Sequence, residues 1–150
     1  MSIQNYSPVD LRWLRILRAG CLFVFFTGLL PSLSVFQATE EPWRLFFDAL
    51  TWPLDHQPAT FTASDRQLSA VLGGVLCGWA LLLYQLARPE IFNESIRRQM
   101  LLSVVVWFVL DSGGSIFAGL PLNAVGNLGF LLLLLVPLTA LRGVRSSSAT

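Results

Sequence analysis

Four long apolar runs, separated by short arginine-bearing segments, decide the architecture before any motif is considered. They cover about 16–36, 67–87, 99–120 and 124–141. Each has roughly the 20 residues that carry a helix across ~30 Å of hydrocarbon. Without water, every backbone N–H and C=O must find its partner inside the segment, which selects helices. Burial in a soluble core fails on quantity. Of 150 residues, 54% are hydrophobic and 13% charged, about half the charged share of a soluble domain, and so short a chain has too little interior to hide that surface. The sequence therefore predicts an all-α integral membrane four-helix bundle forming a single transmembrane domain over 1–150.

Local signals refine the layout. "SPVD" at 7–10 reads as a helix start, with Ser7 as cap, Pro8 at the first helical position and Asp10 closing the box. Pro31 is expected to bend the first span rather than end it, because neighbouring helices satisfy the freed carbonyl. The segment 37–66 is the first outer loop. Within it "EEPWRLFFDALTW" places Trp43, Phe46, Phe47 and Leu50 at helical spacing opposite Arg44 and Asp48. That is a short amphipathic helix, suited either to a membrane interface or to a lid packed on the bundle. Ser64 with Gln67 forms a capping box before the second span. The loop 88–98 precedes the third span, carries an i,i+4 pair, Glu94 and Arg98, and "PLN" at 121–123 makes the tight turn into the fourth.

Arginine placement orients the spans. Arg12, Arg15, Arg18, Arg88, Arg97, Arg98, Arg142 and Arg145 fall on one side, and Arg44 and Arg66 on the other. The positive-inside rule then puts the 88–98 loop and both termini in the cytoplasm and 37–66 outside. A cleaved signal peptide over 1–36 is the competing reading. It is disfavoured by polar Thr27 in the apolar run and by bulky Phe36 at the minus-three position of the Phe36–Ala38 site.

The anomaly is Asp111, inside the third span. It lies ten residues before Pro121, about 15 Å from the end of a helix running to 120. An aspartate facing lipid at such a depth costs about 2.5–3.5 kcal/mol, so it is expected to face protein or trapped water. Ser115 is one turn on, on the same face. Asn123 and Asn127 share a face of the fourth span, with Asn127 expected beside the carboxyl and Asn123 nearer the mouth. Arg66 is placed to lean in as a counter-charge. Asp111, Ser115, Asn123, Asn127 and Arg66 thus form a candidate ligand-binding set around an outward-facing polar pocket. The alternative is a buried carboxyl that merely ties two helices together.

Small residues suggest how the helices meet. Ala70, Gly74 and Gly78 recur every four positions with Gly73 beside them, and Gly20, Val24, Thr27, Pro31 and Ser34 form a stripe on the first span. Such stripes let helices approach closely. "SGGS" at 112–115 lacks the lysine and strand of a phosphate loop and reads as a flexible joint or a packing site. Trp13, Trp52, Trp79 and Trp107 are scattered and spell no aromatic cage. Cys21 and Cys77 read as buried free thiols. His56 has no second His or Cys near it, so neither a metal site nor a cofactor is expected. A net charge of +1 offers no basic face for nucleic acid.

The plan of four spans with a long first outer loop, a glycine-rich second span and a polar-punctuated third resembles the small bacterial inner-membrane proteins grouped near the DoxX-like families. The resemblance spans the whole chain through its layout. It implies a bacterial inner (plasma) membrane and carries no catalytic residue over. The leading functional expectation is a non-enzymatic bundle, lodged in the lipid bilayer, that binds a small molecule or lipid or assists a membrane complex. A small proton-coupled transporter, which four spans would require to be a homo-oligomer, is the second. A membrane enzyme using Asp111, Asp55 or His56 is the third, and it lacks a second group within hydrogen-bond reach.

Overall fold

A computed structural model describes residues 6–50 and 59–141. Trp52, Asp55, His56, Arg142 and Arg145 lie outside the described residues. Among those described, the elements are α1 (Pro8–Leu33), a 3-10 turn (Gln37–Thr39), α2 (Glu41–Leu50), α3 (Ala63–Leu86), α4 (Glu94–Phe117) and α5 (Pro121–Ala140), with no strand. The chain is an all-α four-helix bundle. α1, α3, α4 and α5 are each long and apolar enough to cross a membrane, and α2 sits in the connection between α1 and α3.

Caps decide where the helices start and stop. Ser7 Oγ accepts from Asp10 N at 3.1 Å with Pro8 at the first position of α1, satisfying one of the orphan donors of a helix start. Pro31 lies in the last turn, and α1 stops at Leu33, where Ser34 donates from Oγ to Pro31 O at 2.7 Å. α3 begins earlier than the Ser64–Gln67 box predicts. Thr62 and Asp65 form the reciprocal box, with Thr62 N donating to Asp65 Oδ2 at 2.8 Å and Asp65 N to Thr62 Oγ1 at 3.3 Å. Both tetrads fit the pattern, and it is the Thr62 box whose two reciprocal bonds form. Asn93 caps α4, accepting from Ile96 N at 3.0 Å.

The α4–α5 connection also falls earlier than "PLN". Gly119, at φ +82°, lies in the left-handed region that costs a residue with a Cβ about 1–2 kcal/mol. Leu120 N donates to Ser115 O at 2.9 Å and Gly119 N to Ile116 O at 3.1 Å, the pair of bonds that ends a helix as a Schellman motif. Pro121 then opens α5 at once. Asp111 is consequently six residues from the end of its helix, about 9 Å, rather than 15 Å.

Packing is uneven around the bundle. α1 packs along α3 and α5, and α4 along α5, whereas α3 and α4 do not pack along their lengths despite the short loop between them. The closest crossing is α1 on α3 at Gly28 and Gly73. A Cβ on Gly73 would lie 2.5 Å from Gly28 O and would also overlap Ser32, and one on Gly28 would lie 2.9 Å from Cys77 Sγ. Gly74 and Gly78, expected at an interface, face outward with nothing within 4 Å of a Cβ, and so do Gly113 and Gly114 inside an unbroken α4. "SGGS" is therefore no joint, and its contact with α5 is made by Ser112 and Ser115 rather than by its glycines.

The hydrophobic core occupies the half of the bundle away from α2. Leu14, Leu17, Cys21, Ala80, Leu83, Met100, Val104, Leu134 and Leu138 interlock there. At that end Arg18 lies 4.3 Å over the Tyr84 ring, a cation–π contact. Glu94 pairs with both Arg97 and Arg98 at 2.7 Å, and Arg97 also donates to Leu138 O at 3.2 Å.

Candidate functional site

The half nearest α2 holds a cavity of about 440 Å³ instead of a core. That volume is within the range of drug-sized ligand sites. α2 forms its roof. Trp43, Phe46, Phe47 and Leu50 line it, so the amphipathic helix packs its aromatic face on the bundle. Two contacts latch α2 to α3. Trp43 Nε1 donates to Ser69 Oγ at 2.9 Å, and Arg66 Nε to Glu40 Oε2 at 2.7 Å. The Arg66 hydrogen bond, followed by the charges of Arg66 and Arg44, holds the Glu40 carboxyl below its ordinary range. Arg44 is paired at 2.6 Å with Glu41.

The walls are mostly aromatic and aliphatic. α3 contributes Leu72, Leu76 and Trp79, α4 contributes Trp107, and α5 contributes Phe130 and Leu134. Trp79 reaches across the unpacked seam, donating from Nε1 to Ser103 Oγ at 2.8 Å and meeting the Trp107 ring at 5.7 Å. Phe130 abuts Trp107 edge-on at 6.5 Å. This aromatic wall corrects the expectation of scattered tryptophans. The partners come from three helices, and the one local hint is that Trp107 lies one helical turn before Asp111 on the same face.

Asp111, Ser115, Asn123 and Asn127 all line this cavity. The hydrogen bonding among them differs from that expected. Asn123, not Asn127, holds the carboxylate. Its Nδ2 donates to Asp111 Oδ1 at 3.0 Å and to Ser115 Oγ at 2.7 Å. Ser115 Oγ donates to Asp111 O at 2.7 Å and lies 3.3 Å from Asp111 Oδ1. Asn127 is buried and donates to Ser112 Oγ at 3.3 Å. The early turn explains the exchange: with α5 starting at Pro121, Asn123 is already helical and lies within reach of both Ser115 and Asp111. Asp111 Oδ2 accepts no hydrogen bond among the described residues and is not sealed off, since the one such buried, partnerless side-chain atom there is Arg18 Nε. Arg66 does not line the cavity, because Glu40 claims its guanidinium.

The lining thus defines a class: a polytopic helical bundle whose one half holds a largely apolar cavity with, among the described residues, one carboxylate in its wall. Among the described residues no group of three or more His, Cys, Asp or Glu is placed to hold a metal. No protein-family model, curated protein or solved structure matches the chain.

Proposed function

We propose that the chain is a bacterial inner-membrane protein that binds a small amphiphile or lipid in the cavity beneath α2, without transforming it. The observation that carries this reading is the cavity itself: about 440 Å³, walled by aromatic and aliphatic side chains, with one polar corner at Asp111, Ser115 and Asn123. Sites for small ligands have this make-up, an apolar lining for affinity and a few polar groups for orientation. The arginine asymmetry supports cytoplasmic termini and an outward α2, which would put the cavity in the outer leaflet half. The DoxX-like layout supports the same membrane.

The test is saturable binding of a neutral amphiphile, phenylbutanol, to the chain in phosphatidylcholine nanodiscs, followed by tryptophan fluorescence because Trp79 and Trp107 form the wall. Leu76→Trp, which fills the cavity, is expected to abolish saturation, and Leu82→Trp on the exposed face of α3 to leave it intact. Equal binding by both variants would refute the proposal.

A further inference from the structure

Among the described residues most of the cavity's hydrogen-bond donors are committed internally, the Trp107 indole N–H and one Asn127 N–H excepted, while Asp111 Oδ2 and the Asn123 amide oxygen are free acceptors. The Thr27 hydroxyl donates to Val24 O at 2.8 Å and the Ser115 hydroxyl to Asp111 O at 2.7 Å. Asn123 carries two N–H groups on Nδ2 and points them at Ser115 and Asp111. A carboxylate accepts and does not donate, so the amide must present nitrogen to it and turn its oxygen away. Asn127 turns its amide nitrogen to Ser112. Asp111 Oδ2 and the Asn123 amide oxygen accept nothing from the described residues. Among the described residues no basic side chain lines the cavity, Arg66 and Arg44 being held by Glu40 and Glu41.

An anionic head group would meet the Asp111 carboxylate as a like charge, with the Trp107 indole N–H and one Asn127 N–H the uncommitted donors among the described residues, and burying two like charges together is costly. A cationic donor meets the reverse. It completes a charge-assisted hydrogen bond to Oδ2, and the same lining holds Trp43, Trp79, Trp107 and Phe130, aromatic rings of the kind that attract cations. We infer that the cavity selects lipophilic cations, a protonated amine on an aromatic or alkyl body, with the ammonium on Asp111 and the body against the tryptophan and phenylalanine walls. This rests on the cavity being a binding site and adds the charge of what it takes.

Three probes of one body separate the two ideas: phenylbutylamine, phenylbutanol and phenylbutyrate, titrated at neutral pH into the full chain in phosphatidylcholine nanodiscs, with partition into empty discs subtracted. The amine is expected to saturate at a concentration at least about tenfold below the alcohol, as for a charge pair in a partly desolvated site, and the carboxylate to bind weakest. Asp111→Asn, which keeps the side chain's shape, is expected to remove the amine's advantage. Equal binding of amine and alcohol by the wild-type chain, preference for the carboxylate, or an amine preference that survives Asp111→Asn overturns the inference while the saturating alcohol keeps the cavity reading intact. If none of the three saturates, the cavity reading falls and the inference with it. The wild-type comparison needs no variant to fold.

Discussion

The α1–α3 crossing makes a sharp demand on one glycine among three adjacent candidates. Gly73→Ala would put a Cβ 2.4 Å from Ser32 N and 2.5 Å from Gly28 O, so restoring ordinary contact at 3.4 Å requires the helices to separate by about 1.0 Å. The clash is with backbone, which has no rotamer to change. Overpacking of this kind costs about 1–3 kcal/mol, against a gain of up to about 1 kcal/mol from the better helix propensity of alanine. Gly74→Ala and Gly78→Ala meet nothing within 4 Å and keep the propensity gain alone. Reversible unfolding of the three variants in mixed micelles, followed by helical circular dichroism, is expected to show Gly73→Ala destabilised by about 1–2 kcal/mol and the other two unchanged or slightly stabilised. Equal effects at all three positions, or the largest at Gly74 or Gly78, would mean that α3 presents a different face to α1, and the placement of the cavity wall would fall with it.

Two further outcomes test the elements that frame the cavity. Gly119→Ala forces a Cβ into the left-handed conformation at φ +82° and should destabilise the chain by about 1–2 kcal/mol, whereas Gly114→Ala, in open space within α4, should not; identical unfolding curves for the two would refute the Schellman turn. The Glu40–Arg66 latch should depend on pH in one direction. Because Arg66 lowers the folded-state pKa of Glu40, the latch's contribution is present above the ordinary glutamate value and lost as pH falls through the lowered one. The thermal midpoint of the wild type should therefore exceed that of Glu40→Gln at neutral pH and converge on it in acid, and a difference independent of pH would contradict the ion pair.

The existence and length of the four long helices were legible because lipid-crossing segments are defined by summed apolarity over roughly 20 residues, a property no neighbour can override. Ends and faces were less legible, for identifiable reasons. Two overlapping tetrads, Thr62–Asp65 and Ser64–Gln67, both fit a capping box, and only the structure shows that the Thr62 box forms. The turn at Gly119 was masked by Pro121, a stronger sequence signal two residues later, and that shift exchanged Asn127 for Asn123 at the carboxylate. The regular spacing of Ala70, Gly74 and Gly78 marked a face, but small size alone cannot say whether a face meets protein or lipid. The partner does, and Ser32 and Gly28 of α1 lie opposite Gly73. Trp79 and Trp107 stand on different helices, so their pairing at 5.7 Å is a tertiary fact with no local trace.

These same features account for why the bundle is filled at one end and open at the other. Away from α2, branched and long side chains from all four long helices meet and close the core. Toward α2, the glycine contact at Gly28 and Gly73 draws α3 onto α1, and nothing of comparable closeness joins α3 to α4. Trp79 spans that seam at the level of Ser103 and Trp107. Above it the small and polar residues of α4 and α5, Ser115 and Asn123 among them, spend their hydrogen bonds on one another and on Asp111, so they cannot fill the volume either. The space that remains is lined on one side by the aromatic face of α2, which Trp43 and, just before the helix, Glu40 tie to α3. A close crossing on one side and a bridged seam on the other frame a cavity with a carboxylate in its wall, and each is set by residues, Gly73 and Trp79, that lie outside the polar cluster.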